Sequence, residues 1–107
     1  MRVISQNGTM DFPYEISTIF IYPRIENVIA IQSAGDSEIS IIGRYSSKEK
    51  AIKAMEMLRK VYEDNEFYHY MSTTDTFEKA TSCLSNEEFK ELTSEYFQFP
   101  QDDEIEV

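Results

Sequence analysis

The chain is poor in the residues that most often carry catalysis and metal binding. It has one cysteine, one histidine, three glycines and no tryptophan. Cys83 alone excludes an internal disulfide and a zinc site built on thiolates, and no basic neighbour activates it as a nucleophile. His69 has no second histidine to join it in a metal site, and the glycines lie too far apart for a phosphate-binding loop. The sequence therefore predicts a protein that is not an enzyme and holds no cofactor or metal.

Long apolar runs are also absent, and basic residues are few. No stretch approaches the length of a membrane span, and the N-terminal MRVISQNGT lacks the apolar core of a secretory signal. Lysine and arginine number 10 against 20 aspartate and glutamate residues, for a net charge of −10. Because phosphate binding needs clustered basic residues, we expect no direct contact with nucleic acid or with an anionic membrane. A lone cysteine fits a reducing compartment, and the sequence predicts a cytoplasmic protein.

The negative charge is concentrated in the second half of the chain. Residues 1–60 carry eight basic and seven acidic side chains, whereas residues 61–107 carry two basic and thirteen acidic ones. With 107 residues, of which 41% are hydrophobic, the chain is large enough for one domain with its own core. An acidic, aromatic half is typical of a surface that meets a positively charged partner. We therefore expect a protein partner with a basic surface.

Residues 1–45 show the alternation of polar and β-branched residues that is typical of strands. Ile39 and Ile41 fall on the face of Tyr45, and Gly43 marks a bulge or a close backbone approach. One buried and one solvated face are usual in antiparallel sheets, so the sequence predicts an antiparallel meander of three to four strands. The predicted strands are residues 3–6, 14–22, 27–33 and 38–45, with turns at residues 7–8 and 34–37.

The spacing of apolar residues becomes helical after Ser46. Ser46 and Glu49 are spaced as a capping box, in which each side chain bonds the backbone amide of the other residue. Apolar residues then recur three and four apart, which predicts an amphipathic helix over 47–63 that covers the sheet. The two patterns together predict an α+β fold. The apolar stripe comprises Ala51, Ile52, Met55, Leu58, Val61 and Tyr62.

The remaining, acidic part is predicted to be mostly helical over 64–99. Within it, a helix over 86–97 has an apolar stripe on one side and glutamates on the other. Glutamates four apart on an exposed helix repel by about 0.2–0.5 kcal/mol per pair. Residues 100–107 form an acidic tail, which is predicted to be extended and loosely ordered.

The carboxylates of this part are the candidate binding residues. A helix places Glu87, Glu91 and Glu95 in a row about 6 Å apart, near the spacing of backbone phosphates. One alternative is a merely solvated helix face, on which lysines such as Lys90 relieve the repulsion; another is that the aromatic residues 66–71 make the contact. The predicted partner-binding residues are Glu87, Glu88, Glu91 and Glu95, with Asp102, Asp103 and Glu104 as secondary ones.

Three segments of the chain carry a resemblance to other proteins. They are the opening MRVISQNGTMDFPYE, the helix segment YSSKEKAIKAMEMLRKVYE and the closing FQFPQDDEIEV. These segments resemble a group of small proteins from prophages, plasmids and other mobile elements of Gram-positive bacteria, in which the ends recur and the middle varies. Some members of the group look like anti-CRISPR inhibitors of the type II RNA-guided nuclease. No residue roles follow from the resemblance, since the group offers no functional motif.

The resemblance implies an anti-CRISPR function in the cytoplasm of a bacterial host. A type II effector holds its guide and target in positively charged channels, where closely spaced carboxylates can imitate phosphates. The expected mode is stoichiometric binding through an acidic surface, in competition with guide RNA or target DNA. The alternative is a non-enzymatic accessory protein of the mobile element that binds another host or element protein. A third possibility is a plain acidic domain whose charge only maintains solubility.

Overall fold

In the part of the chain that the structure describes, the fold combines two small β-sheets with one long helix. The computed structural model describes residues 1–71 and 96–106. A β-rich region with antiparallel strands and a helix confirms the predicted α+β class. In chain order the elements are β1 (Arg2–Ile4), β2 (Asp11–Pro13), β3 (Ser17–Ile21), β4 (Val28–Ser33), β5 (Ser40–Arg44), α1 (Lys48–Met71) and β6 (Tyr96–Gln98). Short 3₁₀ turns, Tyr14–Ile16 and Asp102–Glu104, precede β3 and follow β6.

Strands β3, β4 and β5 form an antiparallel meander, as the alternation in the sequence predicts. Ser17 at the start of β3 pairs with Ser33 at the end of β4. β4 lies in the centre of this sheet, and its residues 28–31 are buried on both faces. Gly35 in the turn after β4 has a φ of +82°, a conformation that glycine adopts without strain. The predicted turn at residues 34–37 therefore connects β4 to β5.

β5 carries the bulge expected near Gly43. Gly43 and Ile41 pair with adjacent residues of β4, so Ile42 between them is an extra residue. Ile42 is 2% exposed, whereas Ile39 and Ile41 are 48% and 38% exposed. The extra residue shifts the alternation by one position. The prediction that Ile39 and Ile41 share the buried face of Tyr45 is therefore wrong.

The first strand belongs to a second sheet, which the sequence patterns do not reveal. β1 lies between β2, with which it is antiparallel, and β6, with which it is parallel. Gly8, with a φ of +75°, lies in the turn that joins β1 to β2. In the parallel pair Val3 lies opposite Phe97. A single meander over residues 1–45 is therefore wrong, because β1 and β2 form a sheet with the chain end.

The chain end is folded. The helix predicted over 86–97 is wrong for its last two residues, which begin β6, and residues 86–95 lie outside the described residues. Phe99 and Ile105 are only 1% and 4% exposed. The loosely ordered tail predicted over 100–107 is therefore wrong for residues 100–106, since buried side chains fix this segment to the core. Val107 lies outside the described residues.

Helix α1 starts one residue later than the predicted capping box implies. The Ser47 Oγ accepts a hydrogen bond from the Lys50 amide at 3.2 Å, so Ser47 is the N-cap. The predicted box of Ser46 and Glu49 is wrong, because the Ser46 amide donates its hydrogen bond to Asp102 in the C-terminal segment. The helix then continues to Met71, well past its predicted end.

Small side chains bring α1 against the sheets. Ala51 and Ala54 are fully buried and Leu58 is 1% exposed, whereas Ile52 is 37% exposed. The buried stripe of α1 is therefore rotated away from Ile52, which the sequence placed on the covered face. One core joins the two sheets and the helix. Besides the stripe of α1, it includes Val3, Phe97 and Phe99 from the first sheet and its continuation, and Ile29, Ile31 and Ile42 from the second.

We expect Leu58→Ala to lower the free energy of unfolding by about 2–5 kcal/mol, because it leaves a cavity in the core. Ile52→Ala on the same helix is the matched control, and its effect should be about 1 kcal/mol or less, since that side chain is already partly in water. Urea unfolding followed by far-ultraviolet circular dichroism measures both values. Equal losses in the two variants would contradict this orientation of α1.

Candidate functional site

The C-terminal segment is held at the carbonyl of Pro100. Tyr45 Oη donates to this oxygen at 2.9 Å, and Gln6 Nε2 donates to it at 3.2 Å. One residue earlier, the Phe99 amide donates to the Ile4 carbonyl at 3.1 Å. Buried backbone carbonyls need partners, and here side chains from both sheets supply them. The end of the chain is therefore fixed between β1 and β5.

Gln6 connects the first sheet to the edge of β5. Its backbone amide donates to the Ile42 carbonyl at 2.7 Å. Its side chain pairs with the backbone of Arg44, since Oε1 accepts from the amide at 2.9 Å and Nε2 donates to the carbonyl at 3.0 Å. Gln101 Nε2 in turn donates to the Gln6 carbonyl at 2.6 Å. Because a side-chain amide offers the same donor and acceptor as a peptide group, Gln6 takes the place of a neighbouring strand.

Asp102 fixes the segment against the start of α1. Its Oδ1 accepts from the Ser46 amide at 2.7 Å, and its Oδ2 lies 3.3 Å from Lys50 Nζ. The same ammonium donates to the Asp102 carbonyl at 2.8 Å. The hydrogen bond from the Ser46 amide, assisted by Lys50, holds the pKa of the Asp102 carboxyl below its usual range. A carboxylate is also favoured at this place because the N-terminal end of a helix is partially positive.

The residues after Asp102 form a compact group of carboxylates. Glu104 Oε1 accepts from the Gln101 amide at 2.8 Å, and the Glu104 amide donates to the Gln101 carbonyl at 3.0 Å. The side chain of Ile105 is buried, which directs the segment back to the core. Asp103, Glu104 and Glu106 are exposed. We call Asp102, Asp103, Glu104 and Glu106 the acidic turn.

Tyr45 lies close to the acidic turn and keeps its proton. Burial raises the pKa of Tyr45, and the negative charges of Asp102 and Glu104 raise it further. The phenol is therefore a hydrogen-bond donor at neutral pH. Its ring lies over Gly43, where an added Cβ would be 3.2 Å from Tyr45 Cε2. Glycine at this position lets the ring pack flat against β5.

The structure places three of the seven predicted site residues together. Asp102, Asp103 and Glu104 all lie in the acidic turn; Asp102 is engaged in internal bonds, and the other two are exposed. Glu106 belongs to the same group and was not predicted, although its alternation with the buried Ile105 was a usable signal. The predicted residues Glu87, Glu88, Glu91 and Glu95 lie outside the described residues.

Helix α1 does not extend the acidic surface over its exposed side. Lysines and glutamates alternate there, and Lys60 Nζ lies 3.0 Å from the Asp64 carboxylate one turn away. Lys48 Nζ lies 3.4 Å from the carboxylate of Glu26 in the turn before β4. Charges of alternating sign are typical of a solvated helix face.

The aromatic residues 66–71, the alternative contact, belong to the last turns of α1. Phe67 and Tyr70 in these turns are 53% and 68% exposed. Exposed aromatic side chains are frequent anchors in protein interfaces. The end of α1 therefore offers apolar contact area in addition to the charges of the acidic turn.

Other kinds of site in the described residues, and comparison with known proteins, give no further indication of function. Within residues 1–71 and 96–106, no three cysteine, histidine or acidic side chains are grouped as a metal site would require. No helix in that part of the chain has the length and apolarity needed to cross a bilayer. Comparison with protein-family models, curated proteins and solved structures gave no match. Function is therefore argued from the residues and their geometry.

Acid should destabilise the protein partly through Asp102. Since the pKa of Asp102 is lower in the folded than in the unfolded chain, the unfolded chain takes up a proton first as the pH falls. The stabilisation of the fold by the Asp102 carboxylate is therefore complete above about pH 5 and is lost as the pH falls below about 4. We expect Asp102→Asn to be less stable than the parent at neutral pH and to lose less stability on acidification. Urea midpoints measured across this range provide the test.

Asp103→Asn is the control for the Asp102 variant, because Asp103 is the exposed neighbour. It should keep the pH profile of the parent. Some acid dependence will remain in Asp102→Asn, since the N-terminal ammonium also lowers the pKa of Glu15. An acid profile of Asp102→Asn that matches the parent would show that its bonds to Ser46 and Lys50 do not stabilise the fold.

Proposed function

We propose that the protein is a non-enzymatic anti-CRISPR protein that inhibits a type II RNA-guided nuclease by stoichiometric binding. It acts through an acidic surface and competes with guide RNA or target DNA. The resemblance of the opening and closing segments to small proteins of Gram-positive mobile elements supports the choice of target. The net charge of −10 supports a basic partner, because complementary charge accelerates association and favours the correct orientation.

The order of the acidic turn is the observation that carries the proposal. Asp102 and Glu104 are bonded to backbone amides, and Ile105 is buried, so the carboxylates have a defined backbone position. A fixed group loses little conformational entropy on binding, whereas the same charges on a loose tail would lose more. Channels that hold nucleic acid present basic side chains to its phosphates, and a fixed set of carboxylates can meet the same side chains.

The predicted glutamates of residues 87–95 contribute to the same proposal. In it, Glu87, Glu88, Glu91 and Glu95 add negative charge to that of the acidic turn, and the two groups contact one basic channel. The spacing of about 6 Å that follows from the predicted helical pattern supports this role.

An accessory role for the mobile element is the second candidate. The exposed Phe67 and Tyr70 at the end of α1 favour it, because aromatic contacts suit a partner with no nucleic-acid channel. In that case the protein binds another host or element protein, and a type II nuclease has no measurable affinity for it.

Cleavage by the assembled nuclease should be lost at close to equimolar inhibitor. This follows from the proposal that the protein occupies a channel and does not turn over. A titration of the protein against a fixed amount of nuclease, guide and labelled DNA measures the end point. Complete inhibition far below equimolar amounts would indicate turnover, and no inhibition at excess would favour the accessory role.

Charge reversal in the acidic turn should weaken binding. The double variant Asp103→Lys with Glu106→Lys changes two exposed residues, and we expect it to lower the affinity about tenfold at low salt. Glu56→Lys with Glu63→Lys on α1 changes the net charge equally and is the matched control. The triple variant Glu88→Lys, Glu91→Lys and Glu95→Lys examines the other predicted group. Binding is measured by calorimetry at two salt concentrations.

Equal losses in the Asp103/Glu106 variant and its control would mean that net charge, and not the acidic turn, determines binding. Parental affinity in both the Asp103/Glu106 variant and the 88–95 variant would reject the acidic surface as the interface. Thermal melts of each variant confirm that exposed substitutions leave the fold intact.

A further inference from the structure

The two outer edges of the second sheet differ in how they are protected. Along β5, Gln6 bonds the backbone and Ile42 forms a bulge, and both features prevent pairing with another strand. Along β3, no strand other than β4 pairs with it in the part of the chain that the structure describes. The residues of β3, Ser17–Ile21, include no charged residue, no proline and no bulge. As far as residues 1–71 and 96–106 are concerned, β3 therefore presents an unprotected edge.

The register shows which backbone groups of β3 point outward. The Ile16 carbonyl accepts from the Ala34 amide, and the Tyr22 amide donates to the Val28 carbonyl. Even-numbered residues of this strand therefore direct their backbone groups toward β4, since the direction alternates along an antiparallel pair. Odd-numbered residues direct theirs to the outer edge, and Ile19 is the central one.

Most of these outward groups have no hydrogen-bond partner in the described part of the chain. The Ser17 amide is bonded to the Tyr14 carbonyl in the preceding 3₁₀ turn. Among the described residues, nothing bonds the Ser17 carbonyl or the amides and carbonyls of Ile19 and Ile21. Such a row of donors and acceptors is what an added peptide strand pairs with.

A groove runs beside this edge, between β3 and α1. It has a volume of about 460 Å³, and Met55 and Leu58 of α1 form an apolar part of its lining. Tyr14 and Tyr62 also line it, with ring centroids 4.4 Å apart. Ile19 packs toward the core on this side of the sheet. A strand added to β3 would direct alternate side chains to the same side, and hence into the groove.

Arg59 places a positive charge at the groove. Its side chain is exposed, and no carboxylate of the described residues lies within ion-pair distance of it. Glu15 lines the same groove but is paired with the N-terminal ammonium. Glu56 and Glu63 lie on adjacent turns of α1 and form no ion pair with Arg59. A guanidinium in this setting favours a carboxylate from a partner, which it can bind with two hydrogen bonds.

From these features we infer that β3 binds an extended peptide of a partner protein as an added strand, with an apolar side chain in the groove and an acidic side chain at Arg59. The backbone of Ile19 supplies main-chain hydrogen bonds, and the groove and Arg59 supply selectivity. A second copy of the chain is less suitable, because β3 brings no carboxylate to Arg59 and two molecules of charge −10 repel. The site does not include the acidic turn, so it is independent of the proposed nuclease binding.

The test uses the full chain and blocked peptides of about six residues, the usual strand length, in which threonine and isoleucine alternate. One polar position at a time carries aspartate, asparagine or lysine. We expect aspartate at one position to bind about threefold to tenfold more tightly than lysine there, as a partly screened ion pair would give. Hydrogen exchange should show that the Ile19 and Ile21 amides become protected when the peptide binds, whereas the Phe20 amide is protected in the free protein as well.

Arg59→Glu should reverse the preference from aspartate to lysine in the peptide. Lys53→Glu, the same charge change on α1 outside the groove, is the control and should leave the preference unchanged. Ile19→Pro removes the outward amide without removing a bond to β4, so it should abolish peptide binding. If this variant does not fold, the hydrogen-exchange measurement on the parent chain still tests whether the peptide pairs with β3.

Three results would overturn the inference. The first is that no peptide binds at up to about 1 mM, the weak limit of specific recognition. The second is peptide binding that leaves the exchange of the Ile19 amide unchanged. The third is a dimer in sedimentation experiments whose Ile19 amide is protected without peptide, since a second copy would then occupy the edge.

Discussion

The return of the chain end to the first strand is the constraint on which the rest of the structure depends. β6 pairs with β1 in parallel, and a parallel pair cannot be closed by a tight turn, so the second sheet and α1 lie between its two strands in the sequence. Closing so long a loop costs conformational entropy. Gln6 and Tyr45 help to offset this cost, because both donate to the Pro100 carbonyl and they lie in the segments that follow β1 and β5. Buried Phe97 and Phe99, with ring centroids 5.2 Å apart, add apolar area at the same junction.

This closure also determines how the negative charge is presented. Residues that end an acidic chain are usually loose, and their carboxylates then avoid one another and remain fully hydrated. Here Ile105 is buried and Asp102 is bonded to Ser46 and Lys50. The backbone that carries the exposed residues of the acidic turn is therefore held in one position. Among the described residues, only the carboxylate of Asp102 in this group lies within ion-pair distance of a cation. The electrostatic potential around the acidic turn therefore remains negative and is fixed relative to the rest of the fold. Recognition of a basic surface requires both properties.

Local patterns in the sequence were sufficient to place β3, β4, β5 and the first turns of α1 to within a few residues, because alternation and helical spacing are properties of neighbouring residues. They failed wherever the structure of a segment depends on a residue that is far away in the sequence. Tyr96–Gln98 is too short to show a period and follows a glutamate-rich run, so only its pairing with β1 makes it a strand. Ile39 and Ile41 were assigned to the wrong face because the position of a bulge depends on the opposite strand. At the site, composition identified the acidic residues, but the role of Asp102 could not be predicted, since its partner Ser46 lies 56 positions away.

The same closure explains why the edges of the second sheet are unequal. Gln6 reaches β5 because the shared core brings the turn after β1 beside that strand, and this turn cannot also reach β3 on the far side of β4. The element beside β3 is α1, whose side chains Met55 and Tyr62 line the groove next to the strand, and a helix cannot pair with a row of strand backbone groups. Lys50 and Arg59 lie about two and a half turns apart on α1, and within the described part of the chain Lys50 is paired with the acidic turn whereas Arg59 has no ion-pair partner. Among the described residues, the domain therefore covers the edge of β5 and leaves the edge of β3 open, with Arg59 beside it.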